Sequence, residues 1–336
     1  MDSRYQDLIN WLATQLGHSP DALEPVSGDA SFRRYFRLNT DEGTRVVMDA
    51  PPEKEDSTAF VALAHHWHAA GIHVPAILAQ DLEQGFLLLE DLGAALYLDV
   101  LNGNEQADQL YRDALDALLD IQSQPSPPDY TQPPYDDALF DREMHLFPDW
   151  LLERKLGLEL SSQEKALLET TFATLRESAL AQPRVTVHRD YHSRNLLVTP
   201  QNNPGIIDFQ DAVTGPVTYD AVSLLKDCYI EWPREQMLEW LEYFRQGAAG
   251  RGLHRADPDT FLQWFELMGM QRHLKAAGIF ARLDVRDGKP GYIADIPRVL
   301  GYIIAAGDRQ PALQRFSDWL RERVLPAVES MQESAD

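Results

Sequence analysis

The stretch that decides the fold is Val187-His188-Arg189-Asp190-Tyr191-His192-Ser193-Arg194-Asn195-Leu196-Leu197-Val198, followed after a polar turn by Gly205-Ile206-Ile207-Asp208-Phe209. Val185-Thr186-Val187 is β-prone and ends at His188, and Leu196-Leu197-Val198 and Ile206-Ile207 are short apolar runs. Thr199 to Gly205 is dense in turn formers, so the two runs read as a hairpin. Asp190 then falls on the loop leading in, Asn195 at the hairpin's first end and Asp208 at its last. The three are expected to converge.

An Asp, an Asn five residues later and a second Asp thirteen beyond that are the side chains a metal-assisted phosphoryl transfer needs. A carboxylate accepts the proton of the attacking hydroxyl, while an Asn and another Asp hold magnesium against the phosphates. Asp190 is therefore the expected base, and Asn195 and Asp208 the expected Mg2+ ligands. Each residue taken alone also suits an Asx turn. The H-x-D-x-x-x-x-N spacing, with a strand-borne Asp to follow, favours the catalytic role.

At 336 residues and 44% hydrophobic content, the chain has room for one large domain or two ordinary ones with real cores. Its single cysteine, Cys228, rules out an intramolecular disulfide and sits in an apolar helical pattern, where a buried inert thiol is expected. The first residues show no basic and then apolar leader, and no run approaches the ~20 apolar residues of a membrane span. A cytoplasmic protein with no membrane partner is expected. The formal net charge of −23 argues against nucleic acid or an anionic surface as partner. An acidic field favours a cationic substrate, though solubility alone explains it.

Tyr5, Leu8, Ile9, Leu12 and Leu16 recur at helical spacing and stop at Gly17. Val26 to Leu38 is a small-residue turn leading into a strand, which Asn39 to Gly43 folds back onto Arg45-Val46-Val47-Met48. Its tip, with Ser27, Gly28 and Asp29, suits either an ordinary hairpin or a cover for phosphates. Phe60, Leu63, Ala64 and Trp67 mark a helix whose His65, His66 and His68 lack the spacing of a metal site and read as surface residues. Val74 to Leu78 and Phe86 to Leu89 read as strands, and the patterns beyond about residue 92 are nearly all helical. Ser161 and Glu164 form a capping box. Asp220 opens a helix, where a carboxylate suits the free N–H groups and can also brace the catalytic loop. Gln271-Arg272-His273-Leu274-Lys275, with Arg282, Arg286 and Lys289, is unusually basic. A solvated helix face and an anion-recognition role both remain open.

These features resemble the aminoglycoside-phosphotransferase-like kinases, a small-molecule branch of the protein-kinase fold. His188-Arg189-Asp190 with Asn195, Ile207-Asp208-Phe209, Gly215-Pro216 with Tyr219-Asp220, and Leu88-Leu89-Glu90-Asp91-Leu92-Gly93 match that family's motifs in order. No Gly follows Asp208-Phe209 and no Ala-Pro-Glu segment occurs, which argues against a protein substrate. The resemblance implies an α+β, two-lobe fold with a strand-rich nucleotide-binding lobe over residues 1–92 and a helical catalytic and substrate lobe over residues 93–336.

Within that branch the chain is similar to the bacterial anomeric kinases of peptidoglycan recycling. Ser31 to Arg37, Val47 to Pro52, His188 to Tyr191, Asp208 to Ala212 and Gln271 to Lys275 carry this likeness. It implies ATP-dependent phosphorylation at C1 of free N-acetylmuramate and N-acetylglucosamine, and a monomer is expected. Adenine is expected against the backbone from Glu90 to Leu92. Arg194, Arg272 or Lys275 is expected to meet a substrate carboxylate, with Asp211 and Gln271 also assigned to the substrate and His188 and Asp220 to support of the loop. One departure stands out. Met48 occupies the strand position that usually holds a nucleotide-binding Lys, and Phe60 falls where its helical Glu partner is expected. Either Lys54, Arg34 or Arg45 supplies the missing cation, or the chain is a nucleotide-binding pseudokinase. The retained base and metal ligands favour the first. An amino alcohol or aminoglycoside is the alternative acceptor.

Overall fold

The computed structural model describes residues 3–20, 22–26, 32–101 and 106–333. The chain divides into two compact units. The first comprises residues 1–104, 126–131 and 194–211, and the second residues 105–125, 132–193 and 212–336. A single cut near residue 92 was expected. The chain divides differently because the hairpin segment hydrogen-bonds back to the first part, Ile206 N–H to the His73 carbonyl at 2.8 Å and Val198 N–H to that of Ala95 at 2.7 Å.

The first unit is built on five antiparallel strands: β1 (Glu24–Pro25), β2 (Arg34–Thr40), β3 (Gly43–Asp49), β4 (Ile77–Asp81) and β5 (Phe86–Glu90), ordered β1-β2-β3-β5-β4. Alternation along β2 turns Phe36 and Leu38 to one face, where they join Val47, Phe86 and Leu88. The helix Ser3–Leu16 covers that face with Leu8, Trp11 and Leu12, spaced three and four apart. The strand expected from Val74 begins instead at Ile77. Pro75 has no N–H to give to a ladder, so regular pairing starts beyond it. Gly85, at φ 75°, makes the β4–β5 turn, and any Cβ there would overlap the Ala50 carbonyl.

The second unit is mostly helical and surrounds the helix Pro258–Asp287. Asp257 caps this helix by accepting the Thr260 N–H, Pro258 occupies the first turn, and Gly288 ends it in the left-handed region at φ 64°. From Phe265 to Gly278 every residue is buried, so over this stretch the helix has no solvated face, while its last turn, with Arg286, is exposed. The helix Ser162–Leu180 carries the expected capping box, with Ser161 and Glu164 exchanging bonds. Trp232 and Trp264 are half-buried, and the Trp232 indole N–H reaches the Tyr111 hydroxyl at 2.7 Å. A two-stranded ladder, Arg184–Val187 against Val213–Pro216, delivers the chain to His188.

No helix among the described residues is long and apolar enough to cross a membrane. Gly278 lies where a Cβ would overlap the main chain of Leu146, whereas Gly250 faces open space. Gly278→Ala is expected to cost about 1–3 kcal/mol through overpacking and to lower the thermal midpoint by several degrees. Gly250→Ala should leave the midpoint nearly unchanged, and equal midpoints for the two variants would contradict this packing.

Candidate active site

Past Val187 the strand ladder ends, and the next two backbone N–H groups need another acceptor. Asp220, fully buried in the first turn of the helix Tyr219–Leu225, supplies it: His188 N–H donates to Oδ2 at 2.7 Å and Arg189 N–H to Oδ1 at 3.0 Å. Burial pushes the Asp220 carboxyl up to about 7, against these two donors and the charge of Arg272. Arg189 takes φ 80°, a region that costs a non-Gly residue about 1–3 kcal/mol. Its guanidinium is tied to Glu143 at 2.7 Å. Beyond Asp190, Tyr191 donates its hydroxyl to the Ala114 carbonyl at 2.7 Å, and Ser193 N–H donates to Asp227 at 2.9 Å. Two buried carboxylates thus hold the loop at both ends.

Asp190 is half-buried and borders a cavity of about 90 Å³ together with His192, Cys228, Tyr229, Arg272 and Lys275. Burial disfavours its charge, but Lys275, His192, Arg272 and Arg189 outweigh burial and hold the carboxyl at about 2. At neutral pH it is an anion that can accept the hydrogen of a hydroxyl. Lys275 is fixed by the Tyr219 hydroxyl at 3.1 Å and Glu143 at 3.2 Å. Glu143 also accepts from Tyr135, and Gln271 reaches the same pair at 3.3 and 3.4 Å.

The run Gln271 to Lys275 is therefore buried throughout, and a solvated helix face is excluded there by enclosure of the helix on all sides. Gln271 points to Tyr135 and Glu143, while Arg272 and Lys275 line the cavity. Cys228 is a free buried thiol. Neither Glu143 nor Asp227 was singled out from the sequence. Each acts on a partner tens of residues away, and no local spacing marks it.

In the first unit, strands Leu196–Leu197 and Gly205–Ile206 form the expected hairpin and bring Asn195 to Asp208, with Nδ2 donating to Oδ2 at 3.1 Å. Asp208 adopts φ 64°, and Gln210 donates to its Oδ1 at 2.7 Å. Phe209 is fully buried, stacked on Phe60 at 4.9 Å and tilted against Trp67 at 5.4 Å. Two carboxylate oxygens and an amide are hard donors that fit magnesium, which keeps part of its water shell and takes phosphate oxygens.

The other described residues singled out in this unit lie on its strands and its surface. Met48 is fully buried in β3, so no cation occupies that position. Arg34 and Arg4 both pair with buried Asp49. Lys54 is exposed and lies 4.4 Å from the centre of the Phe32 ring, and Arg45 pairs with Glu42 at 3.5 Å. Glu90 accepts the Ala76 N–H at 3.2 Å, and Leu92 follows just past β5. Arg194 and Asp211 are exposed and belong to this unit, and neither is among the residues that line the cavity. Ser27, Gly28 and Asp29 lie outside the described residues.

An ionised carboxylate in a cationic cavity of the second unit, and in the first unit a carboxylate held by an Asn amide at a hairpin end, are side chains of the kinds phosphoryl transfer uses. The phosphotransferase enzyme family model matches residues 22–258, and the chain belongs to that family. It is 47% identical over 333 residues to the N-acetylmuramate/N-acetylglucosamine kinase of Pseudomonas putida, covering 96% of this chain and 97% of that one. It is also 47% identical over 331 residues to the protein of the same name from Pseudomonas aeruginosa, covering 95% and 96%. An ADP-bound aminoglycoside phosphotransferase matches in structure with a TM-score of 0.59 at 17% identity, covering 90% of this chain and 97% of that one. The fold is the α+β, protein-kinase-like fold, with a strand-rich and a helical unit, and the chain is an enzyme that phosphorylates a hydroxyl group.

Replacing Asp220 isolates its part in this arrangement. Asp220→Ala strands two buried N–H groups at a cost of about 1–3 kcal/mol each, whereas Asp220→Asn keeps one acceptor oxygen. Thermal denaturation should place Asp220→Ala several degrees below Asp220→Asn; coincident transitions would show that the two bonds carry little.

Proposed function

We propose that the chain is an ATP- and magnesium-dependent kinase that phosphorylates the anomeric hydroxyl of N-acetylmuramate and N-acetylglucosamine in cell-wall sugar recycling. The observation that carries this reading is 47% identity along nearly the whole length of two bacterial kinases of that name. Asp190 is the base. With a pKa held at about 2 it stays ionised and orients the acceptor hydroxyl, and a C1 hydroxyl, more acidic than other sugar hydroxyls, suits so weak a base. Asn195 and Asp208 would hold magnesium, which when bound neutralises charge on the phosphate oxygens. The backbone from Glu90 to Leu92 receives adenine. Ser27, Gly28 and Asp29 serve the phosphates.

Arg34 is engaged with Asp49 and Arg45 with Glu42, which leaves Lys54 as the candidate for the cation absent at Met48. The enzyme works as a cytoplasmic monomer, and its charge of −23 repels nucleic acid and anionic membranes. A cationic acceptor such as an amino alcohol or aminoglycoside is disfavoured, because Arg272 and Lys275 flank Asp190.

ADP release with magnesium, ATP and a panel of acceptors tests the assignment. Free N-acetylmuramate and N-acetylglucosamine should be phosphorylated and their 1-O-methyl glycosides not, and turnover of the methyl glycosides would remove the C1 reading. Asp190→Asn should lower kcat by about 10²- to 10⁴-fold while ATP still binds. Lys54→Gln should raise KM for ATP several-fold with a smaller change for the sugar. An unaltered KM would take Lys54 out of the phosphate site.

A further inference from the structure

We propose that Arg272 is a carboxylate anchor, the residue by which this enzyme favours an acceptor sugar bearing an acidic side branch over its neutral counterpart. The inference rests on the sugar-kinase reading and adds to it which of the cations near the acceptor selects for charge. Arg272 lies midway along the interior helix Pro258–Asp287, is only 6% exposed, and borders the cavity that also contains Asp190.

A guanidinium carries five donors and is charged at any pH the protein survives. Here, among the described residues, Nη1 meets the Cys228 thiol at 3.7 Å and Nε has no acceptor. A thiol is a weak acceptor, and burial pushes that of Cys228 up to about 11, so it brings no charge. Among the described residues no carboxylate lies within ion-pair distance of Arg272, in contrast to its neighbours. Lys275 is paired with Glu143 at 3.2 Å and Arg189 with the same carboxylate at 2.7 Å.

Two further carboxylates lie in the surroundings. Asp227 accepts the Ser193 and Tyr229 N–H groups, one on each oxygen. Asp190 faces the same cavity and is the group assigned to the acceptor hydroxyl. A buried guanidinium without a hydrogen-bonded counter-ion is costly, and the cavity at its head is several times the size one water needs. A carboxylate entering there would be met by a planar fork in bidentate fashion. A dianionic phosphate would call for a second uncommitted cation, and Lys275 is already held by Glu143. The chemistry thus selects a monoanion.

The test compares kcat/KM for N-acetylmuramate, for its methyl ester at the lactyl carboxylate, and for N-acetylglucosamine. The unmodified enzyme should prefer the acid over the ester by about 10- to 100-fold, the range of a charge-assisted pair. Arg272→Met should bring that ratio close to one. A ratio near one in the unmodified enzyme overturns the proposal, as does a ratio that survives in Arg272→Met. If the Met variant does not fold, Arg272→Gln gives the same reading, and the ratio of the unmodified enzyme stands by itself as a test. Failure of the unmodified enzyme to phosphorylate any of the three sugars would instead remove the sugar-kinase reading beneath it.

Discussion

Two backbone N–H groups, those of His188 and Arg189, end on the two oxygens of one buried carboxylate, Asp220. The strand Arg184–Val187 is satisfied by its ladder to Val213–Pro216, and that ladder stops one residue before these donors. Without Asp220 they would be buried and unpaired; with it, the chain can turn through φ 80° at Arg189 and present Asp190 to the cavity. The helix that bears Asp220 follows directly on the strand Val213–Pro216, so the brace and the ladder come from one short segment. Asp227 repeats the device at the far side of the loop.

Around this frame the electrostatics are local and opposite in sign to the chain as a whole. A protein with net charge −23 surrounds Asp190 with Lys275, His192, Arg272 and Arg189. Glu143 makes this possible: one carboxylate, 4% exposed, takes up Arg189 and Lys275 together and leaves Arg272 as the cation not paired within the wall. Net charge describes the surface that keeps such a chain in solution. The charge around Asp190 is set instead by a few residues on one helix and one loop.

Much of this was legible in the sequence where the determinants are local. The turn formers between Leu196-Leu197-Val198 and Ile206-Ile207 specify the hairpin, and the hairpin brings Asn195 to Asp208. Ser161 and Glu164 announce a helix start three residues apart. What was not legible depends on partners far along the chain: Glu143 with Arg189, 46 residues away, and Asp49 with Arg4, 45 residues away. The run Gln271 to Lys275 misleads for a related reason. Its charges suggest solvent, but its surroundings are built by helices and loops hundreds of ångströms of extended chain apart, and they enclose it. The strand expected at Val74 shifted because a proline's missing donor outweighed β propensity.

Phe209 carries a consequence for how the first unit responds to its surroundings. Where kinases commonly fix a strand Lys to a helical Glu, this chain has Met48 in the sheet and Phe60 on the helix, and Phe60 stacks directly on the residue that follows Asp208. An ion pair loosens with added salt, whereas an apolar stack is indifferent to ionic strength and weakens on cooling. The alignment of Asp208 in this enzyme is thus coupled to temperature and to the size of two rings. A shift in the salt around the protein would leave that link undisturbed, and a move to the cold would require it to be repacked.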